Sequence, residues 1–86
     1  MKHASVQTLA HLASLLDGVR RVAGTALAER KEGTFYRQSA AFLHFHEDPA
    51  GLFADLKQDD GTWQRFEISL PAQHAVLLRA VAARLR

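Results

Sequence analysis

Apolar residues recur at helical spacing at both ends of this 86-residue chain. At the N-terminal end they are Val6, Leu9, Leu12, Ala13 and Leu16. Ser5 precedes them and can cap a helix, because a serine hydroxyl accepts a hydrogen bond from a first-turn amide. Asp17-Gly18 predicts the end of this helix, since glycine readily adopts the left-handed conformation after a last turn. The apolar spacing continues beyond Gly18, so residues 19–30 stay open between helix and strand.

The C-terminal end predicts a second helix. Ser69-Leu70-Pro71 opens it, because proline is favoured in the first turn, where its missing N–H leaves no hydrogen bond unmade. The apolar side of this helix carries His74, Leu77, Leu78, Val81 and Leu85. This arc is wide enough to pack on a sheet, so the sequence predicts a helix at each end of the chain.

Between the two helices, turn signals separate short segments of strand type. Lys31-Glu32-Gly33 divides residues 26–30 from 34–38, Glu47-Asp48-Pro49-Ala50 divides 40–46 from 51–57, and Asp59-Asp60-Gly61 leads into 62–68. Such short links are typical of antiparallel hairpins. The sequence therefore predicts a single α+β domain over residues 1–86. It consists of an N-terminal helix, an antiparallel β-meander of four to five strands and a C-terminal helix, arranged in two layers.

The two later hairpins also predict which residues share a sheet face, because alternate residues of a strand point the same way. Pairing Phe45 with Leu52, and Leu56 with Gln64, collects one apolar face for the helices to cover. That face comprises Ala41, Leu43, Phe45, Leu52, Ala54, Leu56, Phe66 and Ile68. The opposite face carries Phe42, His44, His46, Phe53, Asp55, Trp63, Arg65 and Glu67. In this register Asp55 lies opposite Arg65, and Phe53 lies opposite both His44 and Glu67.

The face that no helix covers is predicted to be an interaction face. Its aromatic residues are Phe42, Phe53 and Trp63, with Arg65 and Glu67 beside them. Large apolar groups on an open sheet face are typical of a contact surface. A short chain with 48% hydrophobic residues would also bury more apolar surface by self-association. We therefore expect a non-catalytic interaction domain, most simply a homodimer, or one that binds a protein partner.

His44 and His46 raise a different function, because two imidazoles on one strand face can share a Zn²⁺, Ni²⁺ or Fe²⁺ ion. Asp48 or Asp55 would be a third ligand, and a metal-bound water could then act as the nucleophile of a weak hydrolase. The simpler interpretation is that His44 packs among the aromatic residues while His46 ends the strand. The remaining histidines, His3, His11 and His74, are scattered and offer no third nitrogen at a suitable spacing.

Composition and charge argue against several other classes. The chain has no cysteine, which excludes disulfides and thiolate chemistry. It has no recognisable Ser/His/Asp set, phosphate loop or dinucleotide fingerprint, so we predict no catalytic residue and no cofactor. The high pI of 9.5 raises nucleic-acid binding as a further alternative. Residues 38–70 hold two basic and six acidic side chains, which interrupts any phosphate-binding stripe and disfavours that alternative.

The N-terminal segment and the hydropathy predict a location. Residues 1–17 are too polar for a signal-peptide core, and no apolar run approaches the length of a membrane span. We therefore expect a cytoplasmic protein without a membrane partner. The abundance of alanine, leucine and arginine favours a bacterial source.

Part of the chain resembles a known family. The spacing Phe35…Phe42-x-His44-x-His46…Phe53-Ala54-Asp55-Leu56 resembles the small bacterial luciferase-like domain family, over residues 33–57. Members of this family carry a histidine-apolar-histidine strand followed by an apolar-Ala-Asp-Leu strand. The layout is also similar to the compact sheet modules of the YjbR type and of the N-terminal domain of TfoX. Glu32-Gly33-Thr34 departs from the Gly-Gly turn of the family. The resemblance implies the β-meander and leaves the function open.

Overall fold

The computed structural model describes residues 1–86 and places three helices on one side of an antiparallel sheet. In chain order the elements are strand β1 (Lys2–His3), helices α1 (Val6–His11) and α2 (Ala13–Ala23), strands β2 (Ala28–Lys31), β3 (Thr34–Arg37), β4 (Ala40–Asp48), β5 (Gly51–Lys57) and β6 (Trp63–Glu67), and helix α3 (Pro71–Arg84). Strands β2 to β6 neighbour one another in chain order, and β1 pairs with β4. The two-layer α+β fold is thus confirmed, with six strands where four to five were predicted.

The N-terminal residues form the strand that the sequence did not predict. His3 pairs with His46 of β4, and the Ala4 amide donates to the Phe45 carbonyl over 3.0 Å. The Ser5 cap is confirmed, since its hydroxyl accepts a hydrogen bond from the Thr8 amide over 3.2 Å. The Ser5 amide in turn donates to the Glu47 carboxylate of β4, and so joins the start of α1 to the sheet.

Gly18 does not end the first helical region, so that prediction was wrong. The helical region breaks once, at Leu12, and α2 then continues through Gly18 to Ala23. Gly18 is buried, and a Cβ atom there would lie 3.0 Å from Cδ1 of Leu78 in α3. The glycine therefore allows two helices to approach closely, and the chain leaves α2 only at Gly24, with φ +54°.

The hairpin between β4 and β5 is tighter than predicted. β4 continues to Asp48, which pairs with Gly51 across a Pro49-Ala50 turn. Asp48 Oδ1 accepts a hydrogen bond from the Ala50 amide over 3.0 Å, which stabilises this turn. The predicted pairing was therefore wrong by two residues along β5. Because side chains alternate with a period of two, this shift leaves each residue on its predicted face.

The corrected register changes which side chains are neighbours. Phe45 lies opposite Ala54 instead of Leu52, and Phe53 lies opposite His46 instead of His44. The predicted register of the next hairpin is confirmed: the pairs are Leu56 with Gln64, Asp55 with Arg65, Ala54 with Phe66 and Phe53 with Glu67.

Phe42 lies in the core, which corrects its predicted place on the open face. β3 pairs Phe35 with Leu43 and Tyr36 with Ala41, so Phe42 is the extra residue of a β-bulge. Phe42 and Leu43 are consequently both buried, at 4% and 0% exposure. The bulge also reverses the alternation before it. Ala41, predicted to be in the core, instead shares the face of Tyr36 and lies outside the core cluster.

The core fills the layer between the sheet and the helices. It comprises Leu9, Leu12, Leu15, Leu16, Val19, Phe35, Phe42, Leu43, Phe45, Ala54, Leu56, Ile68, Leu77 and Val81. The accessible surface of 5195 Å² is close to the ~5,100 Å² that scaling predicts for a folded monomer of this mass. Small size alone therefore does not require self-association, and any case for it must come from a particular surface. None of the helices combines the length and the hydropathy that a membrane span needs.

Candidate functional site

The sheet face opposite the helices is covered by no helix, and we call it the outer face. Its side chains include His3, Tyr36, His44, His46, Phe53, Asp55, Lys57, Trp63, Arg65 and Glu67. Trp63 is 41% exposed, which is unusual for so large an apolar side chain. Of the predicted interaction residues, Phe53, Trp63, Arg65 and Glu67 lie on this face, and Phe42 does not.

An ion pair occupies the centre of the outer face. Arg65 Nε and Nη2 donate to the two carboxylate oxygens of Asp55, each over 2.8 Å. These hydrogen bonds hold the pKa of Asp55 below its usual range, so the carboxylate stays ionised. His46 Nε2 lies 3.2 Å from Asp55 Oδ2. The predicted cross-strand pair is therefore present, and both oxygens of Asp55 already have partners.

A third histidine joins the two that the sequence singled out. Pairing of β1 with β4 brings the His3 ring to within 5.0 Å of the His46 ring and 5.9 Å of the His44 ring, measured between centroids. The His44 and His46 rings are 6.2 Å apart. We call these three residues the histidine cluster. His3 was missed because a two-residue strand has no periodicity from which its pairing could be inferred.

His44 is packed in a way that disfavours its charged form. Its ring lies 5.1 Å from the Trp63 ring, and its Nε2 atom is buried without a hydrogen-bond partner. Burial, and then the neighbouring His3 and His46, lower the pKa of His44 below its ordinary value of 6.5. Burial also lowers the pKa of His46, because it outweighs the attraction of Asp55. Both imidazoles are therefore neutral at pH 7.

The same geometry bears on the metal alternative. His44, His46 and Asp55 do lie together, but no group of three or more His, Asp or Glu side chains has an arrangement that could hold a metal ion. Asp55 points its oxygens at Arg65, and the Nε2 atom of His44 is buried and has no partner. The metal site stays a prediction that these contacts do not favour.

Cations lie over the aromatic rings of the outer face. Lys57 Nζ is 4.9 Å from the Trp63 ring centroid, and the Arg30 guanidinium is 4.8 Å from that of Tyr36. The charged side chains of this face are Arg30, Lys57 and Arg65 against Asp48, Asp55 and Glu67, and the N-terminal ammonium lies 3.9 Å from Asp48 Oδ2. Carboxylates interrupt the cations, so the face lacks the continuous positive field that a nucleic acid requires.

The centre of the outer face is shallow. A depression of about 390 Å³ is lined by His44, Asp55, Trp63 and Arg65. It opens broadly to solvent, whereas small-molecule sites enclose most of their ligand. This shape suits contact with another protein surface better than capture of a small molecule.

The histidine cluster predicts how stability depends on pH. A histidine whose pKa is lowered by folding binds protons less readily in the folded chain. The stability that it contributes is complete above the unfolded pKa of about 6.5, and is lost as the pH falls through that value toward the folded pKa. We therefore expect the free energy of unfolding to fall between pH 7.5 and 5.5. Carboxyl groups such as Asp55 act at lower pH, because their unfolded pKa values are near ~4.

Urea denaturation at dilute protein, repeated across this pH range, checks the expectation. His44→Phe removes the buried, unpartnered nitrogen, so the free energy of unfolding should change less with pH in this variant. His11→Phe makes the same change at an exposed position of α1 and should leave the dependence unchanged. If the free energy of unfolding changed equally with pH in the His44→Phe variant and the wild type, His44 would not contribute to this pH dependence.

Comparisons with known proteins add no relative to this description. The resemblance to the luciferase-like domain family stays a prediction from the sequence. No protein-family model, no curated protein and no solved structure matches this chain.

Proposed function

We propose that the protein is a non-catalytic binding domain that forms a homodimer through its outer face. The observation that carries this proposal is a whole sheet face without a covering layer, on which Trp63 remains 41% exposed. Tryptophan is enriched among the residues that dominate interface energies. Two sheets can pack face to face at ~10 Å, so a second copy would supply the missing layer.

The size of the outer face fits this role. Its five main strands, at ~4.8 Å spacing, make a face about 24 Å wide. Strands of about six residues at ~3.3 Å each make it about 20 Å long. The projected area is thus about 500 Å². Because side chains project from the sheet, the accessible area is larger than the projected area and approaches the ~800 Å² per partner of a specific interface.

Charge distribution favours a second copy over an unrelated partner. One end of the face carries two carboxylates, Asp48 and Glu67, and one cation, the N-terminal ammonium, which lies 3.9 Å from Asp48 Oδ2. We call it the acidic end. The other carries Lys57 and Arg30, and we call it the basic end. Asp48 pairs with Gly51 and Lys57 with Trp63, so the two ends lie at opposite ends of β5. A twofold axis across the strands would set each basic end against the acidic end of the other copy, the self-complementarity that a symmetric dimer needs.

Trp63→Arg tests the proposal. We expect the change to weaken the dimer by about 1–3 kcal/mol, a rise of about 5- to 150-fold in its dissociation constant. The free energy of monomer unfolding should change by only about 1 kcal/mol, because Trp63 lies outside the core. Sedimentation equilibrium gives the dissociation constant, and urea denaturation of dilute protein gives the stability.

Val76→Arg is the matched control. Val76 is 45% exposed, a fraction similar to the 41% of Trp63. It lies on α3, on the other side of the molecule. Its replacement should leave the dissociation constant unchanged. A wild-type chain that stays monomeric at high micromolar concentration would overturn the proposal, as would equal weakening by both variants.

A further inference from the structure

The backbone of β6 has unpaired polar groups along a free edge of the sheet. β6 is the last strand of the sheet and pairs only with β5. Next to it, the Ile68 amide donates to the Leu52 carbonyl over 2.9 Å, and the Gln58 amide donates to the Thr62 carbonyl over 2.7 Å. Because alternate residues of an antiparallel strand bond to a given neighbour, the even-numbered residues bond to β5. The N–H and C=O groups that point away from the sheet therefore belong to Trp63, Arg65 and Glu67.

These groups are left open, whereas the opposite edge of the sheet is protected. β2 carries a bulge between Glu29 and Lys31, and Arg20 of α2 donates to the Glu29 carboxylate over 2.6 Å. Bulges and charged residues are common protections of an edge strand against pairing. β6 runs in regular register with β5, contains no proline or lysine, and is exposed except at Phe66. Its edge can therefore accept one more strand.

The charges of β6 favour a second copy of the same strand as the partner. Antiparallel pairing of two copies has a twofold axis at one residue of the strand. With the axis at Arg65 or Glu67, that residue would oppose its own copy and like charges would meet. With the axis at Gln64, Glu67 would oppose no cation. With the axis at Phe66, Arg65 of each copy lies opposite Glu67 of the other, and two pairs of opposite charges form.

The side chains of β6 are available for this contact. Arg65 uses Nε and Nη2 to bind Asp55, each over 2.8 Å, so its Nη1 atom has no partner. Glu67 accepts only one hydrogen bond, a long one of 3.4 Å from Nε2 of Gln73 in α3. The partly exposed Phe66 ring would meet its own copy on the helix side of the sheet, which adds an apolar contact.

We propose that the β6 edges of two copies pair antiparallel about a twofold axis at Phe66 and join two sheets into one. The partner is a second copy of this chain. The contact is distinct from the outer-face dimer, because it is made by backbone groups at the edge of the sheet. Pairing of the edges therefore does not depend on the outer face.

The edge contact and the outer-face dimer can form together. Phe66 pairs with Ala54, which lies midway between Gly51 and Lys57 at the two ends of β5. The axis of the outer-face dimer exchanges these two ends, so it crosses the sheet at the same row of residues. The edge axis is normal to the sheet, and perpendicular twofold axes that meet generate a closed tetramer. This step rests on the proposed function, and we expect a tetramer in concentrated solution.

Glu67→Pro tests the edge contact. Proline removes an outward N–H and puts its ring in that place, whereas the hydrogen bonds to β5 run through the neighbouring residues. Sedimentation equilibrium at high micromolar concentration should give the mass of a tetramer for the wild type and half that mass for Glu67→Pro. Glu67→Asp keeps both the amide and the charge, so this matched control should stay a tetramer. Equal masses for Glu67→Pro and the wild type would overturn the edge contact.

Amide hydrogen exchange of the wild type is a second measurement that needs no variant. The Arg65 and Glu67 amides have no partner in the single chain, so they should exchange rapidly in dilute solution. At high micromolar concentration their exchange should slow by at least about tenfold, because carbonyl groups of the second copy then accept them. The Gln64 and Phe66 amides already bond to β5 and should change little.

The results separate the edge contact from the proposed function. A wild-type dimer that Trp63→Arg weakens, with rapid exchange at Arg65 and Glu67, would overturn the edge contact and leave the outer-face dimer intact. A wild-type dimer that Glu67→Pro separates and Trp63→Arg does not weaken would overturn the outer-face dimer and leave the edge contact. A wild type that is monomeric at high micromolar concentration would overturn both.

Discussion

Replacing Phe42 with alanine is expected to lower the free energy of unfolding by about 3–5 kcal/mol, the usual cost of removing a buried phenylalanine. Its ring is 4% exposed and belongs to the core cluster, because the β-bulge turns it toward the helices. A domain of this length has a total stability of about 4–13 kcal/mol. The variant should therefore be largely destabilised, which urea denaturation monitored by circular dichroism measures directly.

Phe53→Ala is the matched control for this prediction. Phe53 lies on the outer face, partly exposed, opposite Glu67. At concentrations where the chain is monomeric, its replacement should cost about 1 kcal/mol, the middle of the range for a point substitution that opens no core cavity. A regular β4 would instead place both rings on the outer face. Similar losses at the two positions would contradict the bulge.

The second large effect is expected at Gly33, in the turn between β2 and β3. Its φ of +77° is strained for any residue with a Cβ atom. A Cβ there would also lie 2.7 Å from Cδ2 of Leu9, a core residue of α1. The Glu29 carboxylate accepts a hydrogen bond from the Gly33 amide over 3.0 Å, and Arg20 donates to the same carboxylate. These bonds hold the turn in place, so it cannot easily move away from Leu9. Gly33→Ala should therefore cost about 2–4 kcal/mol, from strain and overpacking together.

Gly61→Ala separates these two contributions. Gly61 has a similar φ of +87°, but nothing lies within 4 Å of the position that a Cβ would take. Its replacement should cost only the backbone strain, about 1–2 kcal/mol. Thermal or urea denaturation of the two variants gives the comparison. Equal losses would show that Leu9 does not press on the β2–β3 turn.

Several features followed from the sequence because they depend on neighbours along the chain. The Ser5 cap and Pro71 at the start of α3 arise from the chemistry of a helix's own first turn. The Asp59-Asp60-Gly61 turn, with the alternation on either side, was enough to pair Asp55 with Arg65. The sequence also assigned His44, His46, Trp63 and Glu67 to the outer face, since a register error of two residues preserves every face.

Other features were decided only by contacts between distant parts of the chain. Gly18 has the local signature of a helix end, and its role as the place where α2 and α3 approach is set by Leu78. The bulge that buries Phe42 depends on how β3 pairs with β4, and alternation within β4 cannot reveal an unpaired residue. His3 enters the histidine cluster through a two-residue strand that is too short to have a pattern. Periodicity along a chain reports which side of an element is apolar. Pairing partners and close approaches are chosen by the packing of the whole core, and that information exists only in the folded chain.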